Sequence, residues 1–307
     1  MRLALDGRRS RGDHLSELEL AALLKRFWHF RGHLVEGRQR LQVALAAAPG
    51  AEGLLRARAL AALAYCSVFL GQESAALTHE ALDIYAALGD AAGVARMTLD
   101  LGVEADAQGD KRAARALYEH ARVQADAAGD LRYACIAMHN LTNLAFQEAD
   151  DARALRLGEE ALAAARLVGD PALILHAALL VGYVLAGAGR LRDARELGIE
   201  VLAETSTTRV CSLCRDALDL LVIVEVETGE PERGTLLAGL AERLREETGE
   251  PRQPSGLRLY RPAVESAEAV LGETRFSQVM RRGAMLTVEE AVSMLDAAKE
   301  AAPHVHP

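Results

Sequence analysis

The sequence has 307 residues, of which half are hydrophobic and only 4% aromatic, and its formal net charge is −9. A negative surface repels phosphates, so this charge argues against a protein that binds nucleic acid directly. No apolar run is long enough to span a bilayer, there is no signal-peptide pattern, and four cysteines are too few for a disulfide framework. We therefore expect a cytoplasmic protein without membrane contact, whose Ala- and Leu-rich composition favours helices.

The chain opens with a basic stretch that contains Arg8, Arg9 and Arg11. We expect residues 1–14 to form a flexible N-terminus. A helix pair is predicted next, near 15–31 and 33–47, and the Pro49-Gly50 dipeptide ends it.

A regular punctuation begins further along the chain, where Gly-Asp dipeptides recur on a twenty-residue spacing at Gly89-Asp90, Gly109-Asp110, Gly129-Asp130 and Gly169-Asp170. Glycine accepts the left-handed conformation that ends a helix, and the aspartate can cap the next one. Ala149-Asp150 takes the place of one such dipeptide. The segments alternate in character, so the repeat is about forty residues long and each unit is an antiparallel helix pair.

This spacing predicts the helices one by one. First helices are expected near 54–70, 91–108, 131–148, 172–188 and 208–228, and second helices near 73–88, 111–128, 151–168, 191–204 and 231–248. Such pairs cannot bury their apolar faces alone, so we expect them to stack into an α-solenoid over residues 15–248.

The end of the chain has a different pattern. Residues 249–256 are rich in Pro and Gly and are predicted to be a loop. We interpret 257–300 as a helical cap on the solenoid, in which Thr287 and Glu290 form a capping box, and 301–307 as a flexible tail.

The repeat resembles the tetratricopeptide repeat (TPR), in its variant with longer helices. The stretch 28–38 resembles the opening of the MalT-like TPR region of bacterial LuxR/NB-ARC-type signalling and transcriptional regulators, and Tyr260-Arg261-Pro262, 271–276 and 283–292 resemble its closing segment. The resemblance implies an all-α, right-handed superhelix that senses a ligand or partner. The Gly-x-x-x-x-Gly-Lys-Ser/Thr loop of the family's ATPase module and a DNA-reading helix are both absent from the sequence.

In a TPR-like solenoid the first helix of each pair lines the concave groove. The resemblance therefore implies ligand-binding positions with polar side chains, at Arg58, Tyr65, Arg96, Asp106, His139, Asn140, Asn143, Gln147, His176, Tyr183, Asp216 and Asp219. A groove of this chemistry suits an extended peptide, a protein segment or a polar small molecule. We expect a non-enzymatic binding module that needs no cofactor or metal.

Two alternatives remain open at this point. The chain could be a self-assembling scaffold or a docking subunit for a separate ATPase or regulator. It could also be a metalloprotein that uses His139, His176 and Cys135, although a structural zinc site normally needs four ligands. The Cys211-Ser212-Leu213-Cys214 motif has no second ligand pair after it, so we interpret its cysteines as core residues.

Overall fold

The computed structural model describes residues 1–30, 32–206, 212–248, 252 and 254–301. Every regular element in these ranges is a helix, so the predicted all-α class is confirmed. The chain divides into two compact units, unit 1 (Met1–Leu141) and unit 2 (Thr142–Pro307). No helix in the described ranges has the length and apolar character needed to cross a membrane.

Unit 1 is built from helices that pack in chain order. They are α1 (Arg2–Ser10), α2 (His14–Leu23), α3 (Lys25–Phe30), α4 (Leu34–Ala47), α5 (Gly53–Phe69), α6 (Ala75–Ala87), α7 (Ala91–Ala107), α8 (Lys111–Ala127) and α9 (Leu131–Gln147), whose last turns belong to unit 2. From α4 to α8 each helix packs on the next, and α5 also contacts α7.

Unit 2 begins in the same way and ends differently. Its helices are α10 (Asp151–Val168), α11 (Pro171–Gly187), α12 (Leu191–Ser206), α13 (Ser212–Glu227), α14 (Pro231–Thr248), α15 (Pro254–Leu271), α16 (Glu273–Gly283) and α17 (Val288–Ala301). Helices α10 to α14 pack successively, and α11 also contacts α13. The last three helices fold back: α15 packs on α13 and α14, α16 on α14, and α17 on α12.

The predicted punctuation is confirmed in atomic detail. Gly89 and Gly109 adopt φ values of +68° and +83°, so each ends its helix in the left-handed region. Asp90 and Asp110 then accept hydrogen bonds from backbone N–H groups three residues later, each at 2.9 Å. The glycine and the aspartate together set the boundaries of α6, α7 and α8, and for this reason the predicted bounds lie within two residues of the observed ones.

One turn of this series has alanine at the position that glycine occupies in the other turns. Ala149 adopts φ +59° where its counterparts are glycines, and it is the only non-glycine residue with positive φ in the described ranges. Asp150 still caps α10, because its carboxylate accepts a hydrogen bond from the Arg153 N–H at 3.1 Å. The turn geometry is therefore kept despite the steric cost of a Cβ in this conformation.

The N-terminal region differs from the expectation. Within the predicted flexible segment 1–14, residues 2–10 form α1, whose Leu5 is fully buried. Arg2 binds Glu36 of α4 at 2.7 Å, so both an apolar anchor and an ion pair hold the helix. The predicted helix 15–31 is divided at Leu24 into α2 and α3.

The C-terminal helices are held by close packing and by charge. A Cβ added to Gly283 of α16 would lie 2.0 Å from the Leu236 carbonyl oxygen of α14, so the two backbones touch. Arg195 of α12 donates to the Leu295 carbonyl of α17 at 2.9 Å. The capping box is confirmed, since Thr287 and Glu290 each bond the other's backbone N–H.

The predicted loop 249–256 is shorter than expected, because α15 begins at Pro254, a residue favoured in the first turn of a helix. Of this loop, residues 249–251 and 253 lie outside the described ranges, as do 302–307 of the predicted tail.

Candidate functional site

The predicted ligand-binding positions of unit 1 lie on α5, α7 and α9. Arg58 and Tyr65 are seven residues apart on α5 and therefore share a face. Arg58 is exposed, whereas Tyr65 and Arg96 are half-buried. All three side chains are within reach of solvent.

Arg96 lies near the start of α7 and faces the start of α9. Its Nε is 3.6 Å from Asp130 Oδ2, and its guanidinium lies 5.3 Å from the centre of the Tyr133 ring. Burial raises the pKa of Tyr85, and the positive charges of Arg96 and Arg58 oppose that rise. The two arginines therefore act on the same phenol of α6, and Asp130 partly balances the charge of Arg96.

A second group of charges surrounds Tyr65. The Lys25 ammonium of α3 lies 4.3 Å above the centre of the Tyr65 ring and 4.0 Å from Asp100 Oδ2. Phe69 packs against the same ring at 4.7 Å between centroids. Burial raises the pKa of Asp100, with Lys25 opposing that rise and the Glu104 carboxylate adding to it.

Glu104 stands one turn after Asp100 on α7 and is 6% exposed. Thr78 of α6 donates its hydroxyl to Glu104 Oε1 at 2.5 Å. Within the described ranges no hydrogen-bond donor reaches Glu104 Oε2 or Asp100 Oδ2, although both atoms are buried. Neither residue stood among the sequence predictions, because i,i+4 carboxylates on a helix ordinarily indicate a solvated face.

The other predicted positions of unit 1 are simpler. Asp106 is half-buried and pairs with Lys111 at the start of α8. His139 and Asn140 are half-buried on α9.

In unit 2 two of the predicted positions on α11 and α13 are buried, whereas Asp216 of α13 is half-buried. Tyr183 is 7% exposed and donates its hydroxyl to the Asp216 carbonyl oxygen at 2.7 Å. Asp219 is 2% exposed. Asn143, Gln147 and His176 remain half-buried.

Two arginines neutralise the aspartates of α13. Arg245 of α14 binds Asp219 at 2.5 Å and Asp216 at 2.9 Å. Arg252, just before α15, binds Asp219 at 2.9 Å and Glu242 at 2.8 Å. Burial raises the pKa of Asp219 to about 6, and both arginines oppose that rise. The charges form an internal network rather than an open anionic surface.

Residues of α15 and of the segment just before it add further contacts around this network. The Arg252 guanidinium lies 3.9 Å from the centre of the Tyr260 ring, and Tyr260 is buried. Arg258 stacks on Phe146 at 4.2 Å and binds Asp151 at 3.1 Å. Sequence reasoning missed this network because its arginines lie 26 to 107 residues along the chain from the aspartates they bind.

The other candidates for reactive groups are possible metal ligands and the cysteines. Among the described residues no three His, Cys, Asp or Glu side chains come together as a metal site. Burial raises the pKa of Cys135, and it raises that of Cys66 to about 11, so both thiols are held protonated near neutral pH. Cys214 is buried, and Cys211 lies outside the described ranges.

No known protein-family model matches the sequence, and no curated protein matches it as a relative.

Proposed function

We propose that the chain is a non-enzymatic, TPR-like binding or sensor module of a bacterial signalling or transcriptional regulator. Its helix pairs would stack into a right-handed solenoid, and a peptide, a protein segment or a small molecule would be held by the first helices. The forty-residue repeat, the successive packing of helices and the contacts between α5 and α7 and between α11 and α13 support this arrangement.

One observation carries the location of the binding surface. In unit 1 Arg58 is exposed and Tyr65 and Arg96 are half-buried on the first helices, whereas in unit 2 Tyr183 and Asp219 are buried and arginines of the chain itself bind the aspartates of α13. We therefore place the ligand on the face of α5 and α7 that carries Arg58, Tyr65 and Arg96, and call it the unit 1 face.

A screen of the full chain tests this placement. Peptides and metabolites that raise the melting temperature are titrated by calorimetry into the wild type and into a double variant, Arg58→Ala with Arg96→Ala. The matched control is Arg190→Ala, which removes an exposed arginine of unit 2 that pairs with Asp193. We expect the double variant to bind at least about tenfold more weakly and the control within about twofold of the wild type.

The placement fails if the double variant and the control bind every such ligand equally well. The binding function itself fails if no compound or peptide gives saturable binding. A stable oligomer in light scattering that buries the unit 1 face would favour the scaffold instead.

A further inference from the structure

The Lys25 side chain marks a place on unit 1 where an ammonium group is attracted but poorly satisfied. Its Nζ lies 4.3 Å from the centre of the Tyr65 ring, within the range of a cation–π interaction. The distance to Asp100 Oδ2 is 4.0 Å, well beyond the 2.7–3.2 Å typical of an N–H···O hydrogen bond. Lys25 is also 23% exposed, so a competing group can reach it.

Two buried carboxylate oxygens of α7 receive no hydrogen bond from a described residue, and one of them, Asp100 Oδ2, is the oxygen that lies 4.0 Å from Lys25. Asp100 and Glu104 are four residues apart on α7 and so lie on one side of the helix. Glu104 is more than nine-tenths buried and uses Oε1 for Thr78, while its Oε2 and Asp100 Oδ2 receive no hydrogen bond from any described residue. A buried carboxylate oxygen without a donor is unfavourable, so this side of α7 favours a cation that brings several N–H groups.

We propose that unit 1 binds a primary ammonium group of its ligand between Tyr65 and the carboxylates of Asp100 and Glu104, in the place that Lys25 now occupies. An aromatic face joined to carboxylates is suited to an ammonium on an alkyl chain, because the ring attracts the charge and the oxygens accept the N–H groups. A metal ion is less suited, because no third carboxylate, His or Cys joins this pair within the described ranges.

In this proposal Lys25 competes with the ligand, because its ammonium group occupies the site until a more tightly bound ammonium group displaces it. The proposal rests on the proposed function, since it names the chemistry of the ligand at the unit 1 face. The ammonium group could belong to a lysine side chain of a partner peptide or to a free diamine. Two probes, a lysine peptide and a diamine, distinguish these sources.

The experiment titrates the full chain with cadaverine, a five-carbon diamine, and with an N-acetylated tetralysine peptide. The neutral 1,5-pentanediol, of equal length to cadaverine, is the control probe. Lys25→Met keeps the aliphatic stem and removes the competing charge, and Lys25→Gln is a second variant in case the first disturbs α3. We expect both to bind cadaverine about tenfold more tightly than the wild type and to ignore the diol.

Variants in the Lys25→Met background locate the site. Asp100→Asn is expected to weaken cadaverine binding about tenfold and Tyr65→Leu about threefold, whereas Tyr65→Phe keeps the aromatic face and the affinity. Asp83→Asn, which neutralises an exposed carboxylate of α6, is the matched control and should change nothing. Tighter binding of tetralysine than of cadaverine would assign the site to a peptide lysine, and the reverse to a free diamine.

The proposal is overturned if neither Lys25 variant binds the amines saturably, or if Asp100→Asn and Asp83→Asn behave alike. Such a result leaves the proposed function intact when a ligand from the screen still depends on Arg58 and Arg96. The proposed function falls separately, when those two arginines prove irrelevant.

Discussion

The two units use similar helices with polar side chains at predicted binding positions, yet they treat these side chains in opposite ways. In unit 1, Tyr65 and Arg96 stay within reach of solvent, and no described residue donates a hydrogen bond to the buried Oδ2 of the nearby Asp100. In unit 2, Asp219 is buried and held by two arginines. A polar side chain at a predicted binding position can therefore be half-exposed in one unit and part of a buried ion pair in the other.

The position of a polar residue within the repeat therefore does not decide whether a ligand can reach it. In unit 2, α15 packs on α13 and places Arg258 on Phe146, while Arg252, just before α15, binds Asp219 and stacks on Tyr260. The sequence of a repeat therefore does not distinguish a polar residue that binds a ligand from one that stabilises the fold.

The largest expected effect comes from breaking the network of unit 2. Asp219→Ala removes a carboxylate that binds both the buried Arg245 and Arg252, so we expect a loss of about 3–5 kcal/mol in the free energy of unfolding. Asp106→Ala in unit 1 removes a more exposed pair with Lys111 and should cost less than about 1 kcal/mol. Urea unfolding of both variants measures the difference; equal losses would contradict the contrast between the units.

A smaller loss is expected where the C-terminal helices meet the repeat. Gly283→Ala forces α16 away from α14, because its Cβ would lie 2.0 Å from a backbone oxygen, and we expect a cost of about 1–3 kcal/mol. Gly50→Ala is the control, since an added Cβ meets nothing within 4 Å and φ is not positive there. Thermal unfolding monitored by circular dichroism compares the two, and a Gly283→Ala protein as stable as the control would show that α16 is loosely attached.

A gain of stability is expected at the irregular turn. Ala149→Gly relieves the left-handed alanine at φ +59° and should stabilise the protein by about 0.5–1 kcal/mol, after the entropy cost of glycine is included. Gly189→Ala, at φ +76°, is the mirror experiment and should destabilise by a similar amount. Opposite signs in the midpoints of urea unfolding support the turn assignment, and a destabilised Ala149→Gly protein contradicts it.

Stability should also depend on pH, and the two units should respond with opposite sign. Burial raises the pKa of Asp219 to about 6 in the folded protein, above its ordinary 3.8. Its protonation therefore adds stability that is full below about pH 4 and lost as the pH rises through 6. Glu36 of unit 1 behaves conversely: the hydrogen bond from Arg2 lowers its pKa from 4.5 to about 2, so its contribution is present above about pH 4.5 and lost as the pH falls toward 2.

Urea unfolding at a series of pH values checks both directions, with Asp219→Asn and Glu36→Gln as the references. The stability of the wild type relative to Asp219→Asn should fall between pH 4 and 6, and its stability relative to Glu36→Gln should fall between pH 4.5 and 2. A flat difference for either pair would show that the carboxyl in question is not coupled to folding.

The helices could be predicted from the sequence because their signals are local. Gly89 and Asp90, for example, end one helix and begin the next through contacts within a few residues. The candidate sites could not be predicted from the sequence, because the residues that form them lie far apart along the chain. Lys25 meets Tyr65 and Asp100 only after three helices have packed, and the chemistry of Asp219 depends on an arginine 33 residues later.

We propose that a ligand binds at the unit 1 face, where Tyr65 is half-buried, and not in unit 2, where Tyr183 and Tyr260 are buried. Hydroxyl-radical footprinting of the native full chain, with oxidation rates read by mass spectrometry, tests this without any mutation. The account predicts that Tyr65 is oxidised clearly faster than Tyr183 and Tyr260, and that bound cadaverine or tetralysine protects Tyr65 alone. Oxidation of Tyr183 as fast as that of Tyr65, or protection confined to unit 2, would contradict it.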